Sequence, residues 1–394
     1  MFIYNGKIHS MEQPAIENGY VEIAGGRIVS VGAMAGRPGF TPSPEDIDAR
    51  GALVLPGFVD AHSHVGMWED AIGFEGDDGN EETDPCTPHL RAVDAVNPMD
   101  RCFSEALAAG ITTVMTGPGS ANPIGGQWLA MKTGGRRIDD MLICTPSAMK
   151  FALGENPKTV YHGKSLAPIT RMATAAIIRD QFRKAQRYLE DIERAESADE
   201  EDEYERPEYD MKCEALIPVL KRQLKAHFHC HRSDDIFTAI RIAKEFSLDY
   251  VLIHATEGHL IADVLAAEGA AAIVGPILCD RSKPELRSQT PANAAALHAH
   301  GVPFAICTDH PVIPIQYLPL SAGICVREGL PYEEALRAIT INAARICGID
   351  GRVGSLAPGK DADIALFDGD PLSTYVTPAL VMQDGAVVYR KQGV

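Results

Sequence analysis

Between residues 56 and 350 short apolar runs alternate with longer amphipathic stretches, and no other feature of this 394-residue chain restricts its fold as much. The runs are ITTVMT, MLICTPSAMKF, YVLIHA, AAIVGP and VPFAICTD. The stretches NPMDRCFSEALAAG, DDIFTAIRIAKEF and TPANAAALHAHG carry helical spacing, with Asp, Asn or Thr near their starts and Gly after two of their ends. Strand then helix, repeated, predicts a parallel sheet with helices outside it, because parallel neighbours need a crossover long enough to hold a helix. Six or more such units in roughly 290 residues suit a closed, TIM-like (β/α)8 barrel, with a doubly wound open sheet as the alternative.

Both ends of the chain read differently. FIYNGKIHS and GYVEIAGGRIVSVGA are short strands around turns, and GKDADIALFDG and ALVMQDGAVVYRKQ repeat that pattern at the far end, with Asp384-Gly385 as a hairpin turn. The simplest arrangement joins residues 1–55 with 351–394 in a small β-sandwich domain, built from both termini and flanking an α/β barrel of residues 56–350. The turn-rich segment TGPGSANPIGGQWLAMKTGG reads as a loop after the third strand, with Asn122, Gln127 and Trp128 in a pocket wall. It lacks the Gly-Lys-Ser/Thr or Gly-x-Gly-x-x-Gly pattern of a phosphate cradle.

Charge and cysteine usage narrow the function. Twelve Asp and Glu against two Arg lie between Glu190 and Asp210, so more than half of the net charge of −18 sits in one stretch, read as a solvated loop or helix end within a helical segment from Ala173 to Leu220. Without a basic, aromatic-interleaved patch the chain is not expected to bind nucleic acid. Nine cysteines without a Cys-x-x-Cys pair argue against a disulfide framework and against a zinc knuckle, and fit a cytoplasmic protein. No run of eighteen apolar residues and no leader pattern at MFIYNGKIHSM is present, so neither membrane insertion nor export is expected. The expected partner is a small-molecule substrate, with a homo-oligomer left open.

Candidate chemistry gathers where apolar runs stop. In GFVDAHSHVG a strand would set Asp60, His62 and His64 on one face, where two imidazoles can reach one ion, zinc or a similar metal, with Asp60 supporting them from behind. Alone, that pair fits polar residues at a strand end equally well. AHFHCHRSDDI then places His227, His229 and His231 on one face of another strand end, YVLIHATEGH ends on His254, and VPFAICTDHP ends on Asp309. Four strand ends delivering His or Asp toward one barrel mouth make a shared site the better reading. His298 and His300 lie in a helix far from these ends, and His259 and His310 are adjacent to candidate ligands without an assigned role.

LVLPGFVDAHSH, HCHRSDDI, LIHATEGH, CTDHP and VGSLAPGKDADIALFDGDPL, in that order, resemble the amidohydrolase superfamily of metal-dependent hydrolases, in the branch near imidazolonepropionase-like proteins. HCHR and the lysine on the fourth strand depart from imidazolonepropionase itself and point to a relative. The resemblance implies that His62, His64, His229, His254 and Asp309 hold one or two divalent ions, zinc first among them. It also implies a carboxylated lysine as the bridge, for which Lys150 in SAMKFALGENP is the better candidate and Glu155 the second. Arg232 stands three residues after His229, where deaminases of the superfamily carry glutamate. A deaminase acting on a nucleobase-like heterocycle is therefore the second reading, and an inactive scaffold of the same fold the third. The first reading is metal-assisted hydrolysis of the C–N bond of a small amide, cyclic amide, N-acyl amino acid or dipeptide. Asp309 is its general acid and base, with His254 beside it in the catalytic set, and His231, Arg232 and Gln127 contact substrate, Arg232 being equally suited to an ion pair with Asp234 or Asp235.

Overall fold

The computed structural model describes residues 1–70, 72–197 and 205–391. The centre of the acidic stretch lies outside these; its described flanks are a helix over Arg171–Ser197, a segment without regular structure over 205–210, and a helix over Met211–Leu220 whose first turn is capped by Asp210.

The N-terminal strands are β1 (Phe2–Ile8), β2 (Ile16–Ala24), β3 (Arg27–Ala33), β4 (Ile47–Asp48) and β5 (Leu53–Pro56). The barrel strands are β6 (Phe58–Ser63), β7 (Ile111–Thr116), β8 (Ile124–Lys132), β9 (Leu142–Ala152), β10 (Lys225–Cys230), β11 (Tyr250–His254), β12 (Ala271–Val274) and β13 (Phe304–Ile306). The C-terminal strands are β14 (Ile364–Phe367), β15 (Leu380–Gln383) and β16 (Ala386–Arg390). The two ends of the chain share one sheet, in the order β16-β15-β14-β5-β1-β2-β3 with β4 beside β1. Ile3, Ile23, Val54, Leu366 and Met382, drawn from both ends, bury their side chains in one apolar cluster. Asp384 and Gly385 both adopt positive φ between β15 and β16, as a tight two-residue hairpin turn requires.

Gly57 is the step from this sheet into the barrel: a β-carbon there would meet Thr112 Oγ1 at 2.1 Å. The second sheet runs β6 to β13 in sequence order and is nearly closed, with helices outside it. Helix Ser233–Glu245 buries Ile236, Ala239, Ile240 and Ala243, one face at helical spacing. Its neighbour Phe246 stacks on Phe182, which stacks on Phe151 of β9, which stacks on Phe228 of β10. That aromatic column ties two helices to two strands on the barrel's outer face.

The sheet departs from an all-parallel barrel at β8, which pairs antiparallel with both β7 and β9. Of the segment read from sequence as a loop, residues 117–123 have no regular structure and residues 124–132 are a strand. Its glycines serve close packing: a β-carbon on Gly117 would lie 2.2 Å from the Trp128 ring, which is wholly buried. Asn122 and Gln127 consequently serve structure. The Asn122 amide donates to Glu81 O and Thr87 Oγ1 and accepts from Tyr161, and Gln127 Nε2 donates to Pro88 O.

Inside the barrel Val59, Ala61, Met115, Trp128, Ala148, Ile253 and Cys307 form a cluster closed from below by helix Ile341–Cys347. Irregular pairing of β6 with β7 on both sides of Val59 and Asp60 breaks the strict alternation expected of that strand. Asp60 hydrogen-bonds neither imidazole ring and holds the backbone of His62 instead. It spans the seam between β6 and β13, accepting from Thr308 N, Thr308 Oγ1 and His62 N. Burial lifts its pKa to about 7, against the opposing pull of the Thr308 and His62 hydrogen bonds. Replacing Thr308 by Val should lower unfolding free energy by about 1–3 kcal/mol, read from the denaturant midpoint, because a buried carboxylate loses its hydroxyl donor. An unchanged midpoint would contradict this role.

Candidate active site

At the barrel mouth His254, Ala255 and Asp309 all hold positive φ, a conformation rare for residues with side chains and concentrated at functional sites. Asp309 N–H donates to His62 O and His64 N–H to His310 O, stitching the last strand end to the first. These strand ends bring side chains far apart in sequence into contact. His62 Nε2 and His64 Nε2 lie 3.5 and 3.4 Å from Asp309 Oδ1, and Lys150 Nζ lies 3.2 Å from His62 Nε2. The ring centroids of His254 are 5.4 Å from His62, 4.6 Å from His229 and 4.6 Å from His231.

Two sets of donor atoms, each within 4.8 Å of one another, emerge: His62, His254 and Asp309, and His229, His231 and His254. Hydrogen bonds fix how the rings present themselves. His64 Nδ1 donates to Gly117 O at 2.6 Å and His254 Nδ1 to Gly275 O at 2.7 Å; a carbonyl only accepts, so the lone pair of each ring is on Nε2. His62 stacks on Trp128 at 4.2 Å, the same ring that lies 5.0 Å from Lys150 Nζ. Burial holds His62, His229 and His231 well below the ordinary histidine range and His254 at about 4, so these imidazoles are neutral, the form that binds a cation. Asp309 goes the other way: burial would raise it, but His254 and His64 outweigh burial and hold it below the usual carboxylate range. Lys150 is brought down to about 8 by burial, opposed by Asp309.

Neutral imidazoles and one ionised carboxylate, with donor atoms within 4.8 Å of one another, are a donor set that fits a divalent cation. Above it opens a cavity of ≈ 640 Å³, of small-molecule size, walled by apolar groups such as Trp68, Val160 and Leu286 and by the polar Ser120, Asn156 and Lys283.

The sequence-derived residues divide as follows. His62, His64, Lys150, His229, His231, His254 and Asp309 come together at the mouth. Glu155 also reaches the cavity, and its Oε2 faces Glu285 N. Gln127 and Arg232 do not join them. Arg232 pairs with Asp234 through Nε–Oδ1 and Nη2–Oδ2 contacts of 3.0 and 2.8 Å, and it borders an adjoining cavity instead. Arg232→Ala should leave catalytic turnover within about fivefold of the parent, the scale of an exposed ion pair, in steady-state assays; a larger loss would put Arg232 back at the substrate. His298 and His300 are exposed, and His310 accepts from Ile315 N–H through Nδ1. His227 is buried beneath the site with neither ring nitrogen hydrogen-bonded. The sequence reading missed Glu285, Lys283, Asn156 and Ser120, which lie in loops or at a helix start with no periodic pattern to mark them.

Comparison with protein families matches residues 53–389 to the amidohydrolase family. The chain belongs to this family. Among curated relatives of this amidohydrolase family member, amidohydrolase tasK of Hapsidospora irregularis is 31% identical over 88% of the chain, which spans only 38% of that protein. The imidazolonepropionase of Acidiphilium cryptum is 28% identical over 92% of the chain and 91% of its own length. Among solved structures, an amidohydrolase from Thermotoga maritima superimposes with a TM-score of 0.93 at 39% identity, covering 99% of this chain and all of that one. The chain is thus an amidohydrolase-superfamily protein with a TIM-like barrel and a His cluster suited to a metal. Among the described residues all nine cysteines are free, and no helix is long and apolar enough to cross a membrane.

Proposed function

We propose that the protein hydrolyses the C–N bond of a small amide, cyclic amide, N-acyl amino acid or dipeptide, with one or two divalent ions, zinc first among them, held by His62, His64, His229, His254 and Asp309. The observation that carries this reading is the convergence of those side chains, from four separate strand ends, at the floor of one small-molecule cavity. A bound divalent cation supplies Lewis acidity that polarises a carbonyl and acidifies water. Asp309, ionised at neutral pH, takes the proton that the attacking water gives up and returns it to the departing nitrogen, so that a C–O bond forms, the C–N bond breaks and the amine leaves protonated. His64 and His254 are held by their carbonyl partners and His62 by Trp128, which keeps their free nitrogens aimed without rearrangement. The Lys150 amine, buried and next to His62, is suited to the carbamate chemistry expected of it, since only a neutral amine takes up carbon dioxide. Arg232, at the position of the deaminase glutamate but paired with Asp234, supports hydrolysis over deamination.

The test is a panel of N-acyl amino acids, dipeptides and lactams, followed by released amine before and after treatment with a chelator. Turnover that chelation abolishes and added zinc restores supports the reading. Ammonia release from a nucleobase without ring opening, or no turnover of any panel member by metal-loaded protein, would overturn it.

A further inference from the structure

Lys283 has no part in the scheme above. It stands in the loop after β12 and lines the cavity; among the described residues the only other cation to do so is Lys150 at the floor. The remaining charges of the wall are carboxylates: Glu82, which pairs with Lys164 at 2.8 Å, Glu155, and the exposed Asp280. A ligand carboxylate moving along this wall therefore meets like charge except at Lys283. The ammonium is held in place. It lies 2.7 Å from Glu285 Oε1 and donates to Asn156 Oδ1 at 2.7 Å. Glu285 is 1% exposed and is itself fixed, its Oε2 accepting from Glu155 N–H at 2.9 Å, while Asn156 Nδ2 donates to Ser120 Oγ at 2.7 Å. An ammonium has three donors, so at least one is left over, on a side chain 25% exposed.

We propose that Lys283 binds the carboxylate of the departing amino acid, so that the substrates are N-acyl amino acids or dipeptides with a free carboxylate and not neutral amides or cyclic amides. This rests on the reading of the protein as a C–N hydrolase and narrows its substrate class. A carboxylate on the spare donor sits about 2.8 Å from the ammonium and farther from Glu285, so attraction outweighs repulsion. The position also fits the reaction. Contacts of 2.7 and 3.6 Å through Glu285 Oε1 lead from the ammonium to His231 Nε2, and Asn156 Nδ2 lies 3.5 Å from His229 Nε2, so the anchor stands beside the imidazole cluster. In an N-acyl amino acid or a dipeptide the carboxylate is one residue beyond the scissile carbonyl, a span of about 3.3–3.6 Å when extended. A substrate whose carbonyl reaches the floor thus keeps its carboxylate near this wall.

The experiment compares kcat/KM of metal-loaded full-length protein on each panel acid that it turns over with that on the same compound as its α-carboxamide, followed by release of the acyl group, for the parent and for Lys283→Met. The parent is expected to prefer the acid by about tenfold or more, the scale of a charge-assisted hydrogen bond. Lys283→Met should lower kcat/KM on the acid by about tenfold or more, chiefly through KM, and leave the carboxamide within about threefold. Lys283→Met combined with Glu285→Gln, which leaves no buried carboxylate unpaired, should show the same pattern and serves where the single variant fails to fold. A parent that turns over only lactams, cleaves acid and carboxamide alike, or prefers the carboxamide overturns this inference while the hydrolase reading stands. So does a loss in Lys283→Met that falls equally on both compounds, which marks a structural part only. A protein that turns over no panel member overturns the reading on which the inference rests.

Discussion

Asp309→Asn is expected to reduce turnover by about 10²–10⁴-fold, the scale of a lost general acid and base, while the protein folds as before and still takes up metal through its imidazoles. The substitution is nearly isosteric. The backbone bond from Asp309 N–H to His62 O is unaffected, and the left-handed backbone at this position is one asparagine tolerates well. What disappears is a carboxylate whose pKa is held below the usual carboxylate range, and which is therefore ionised at neutral pH. Measuring kcat and metal content on the same preparation separates the roles: a large fall in kcat with the metal retained fits a proton carrier. An active variant would show that another group moves the proton.

The second large effect concerns the junction between barrel and terminal sheet. Lys132, at the end of β8 and 4% exposed, reaches Asp363 at 2.5 Å and Asp361 at 2.9 Å, and both carboxylates are buried. Burial alone would discharge Lys132, but Asp363 and Asp361 outweigh it and hold the ammonium above the usual lysine range. Asp361 also binds Arg27 and Arg352, whereas among the described residues the Asp363 carboxylate has, besides Lys132, only the backbone N–H of Asp384 as a hydrogen-bond donor. Removing one partner of a buried pair costs about 3–5 kcal/mol, because the other charge is left without compensation. Lys132→Met should therefore lower unfolding free energy by about that amount, and Lys132→Met with Asp363→Asn should recover at least about 1 kcal/mol of it. Denaturant unfolding of the four proteins of this cycle checks both statements. A single variant as stable as the parent would mean that the two sheets are held together by apolar packing alone.

The parts of this architecture that the sequence revealed are those with a period. Helix Ser233–Glu245 announces itself by four buried residues at helical spacing, and β11 and β13 by short apolar runs ending in His254 and near Asp309. The strand β8 was hidden because Gly125, Gly126 and the preceding Pro123 imitate a loop, while its burial on both faces erases any alternation. The bonds of Asp60 to Thr308, across the seam between β6 and β13, were hidden because strand pairing cannot be deduced from one strand. Arg232 lay in a motif that matched, but a neighbouring aspartate two residues on satisfies it locally. Glu285 belongs to a loop whose course depends on Gly275, Pro276 and the turn at Pro284, so its approach to His229 and His231 is a tertiary fact.

The most direct measurement is the metal content of the chain, purified after growth with zinc, beside that of a His62→Ala/His64→Ala variant. If strand ends far apart in sequence build one cation-holding centre, the parent carries about one to two equivalents of a divalent ion and the double variant, still folded, carries at least one fewer. A parent that is folded and free of metal, or a double variant that keeps the full complement, would contradict that account.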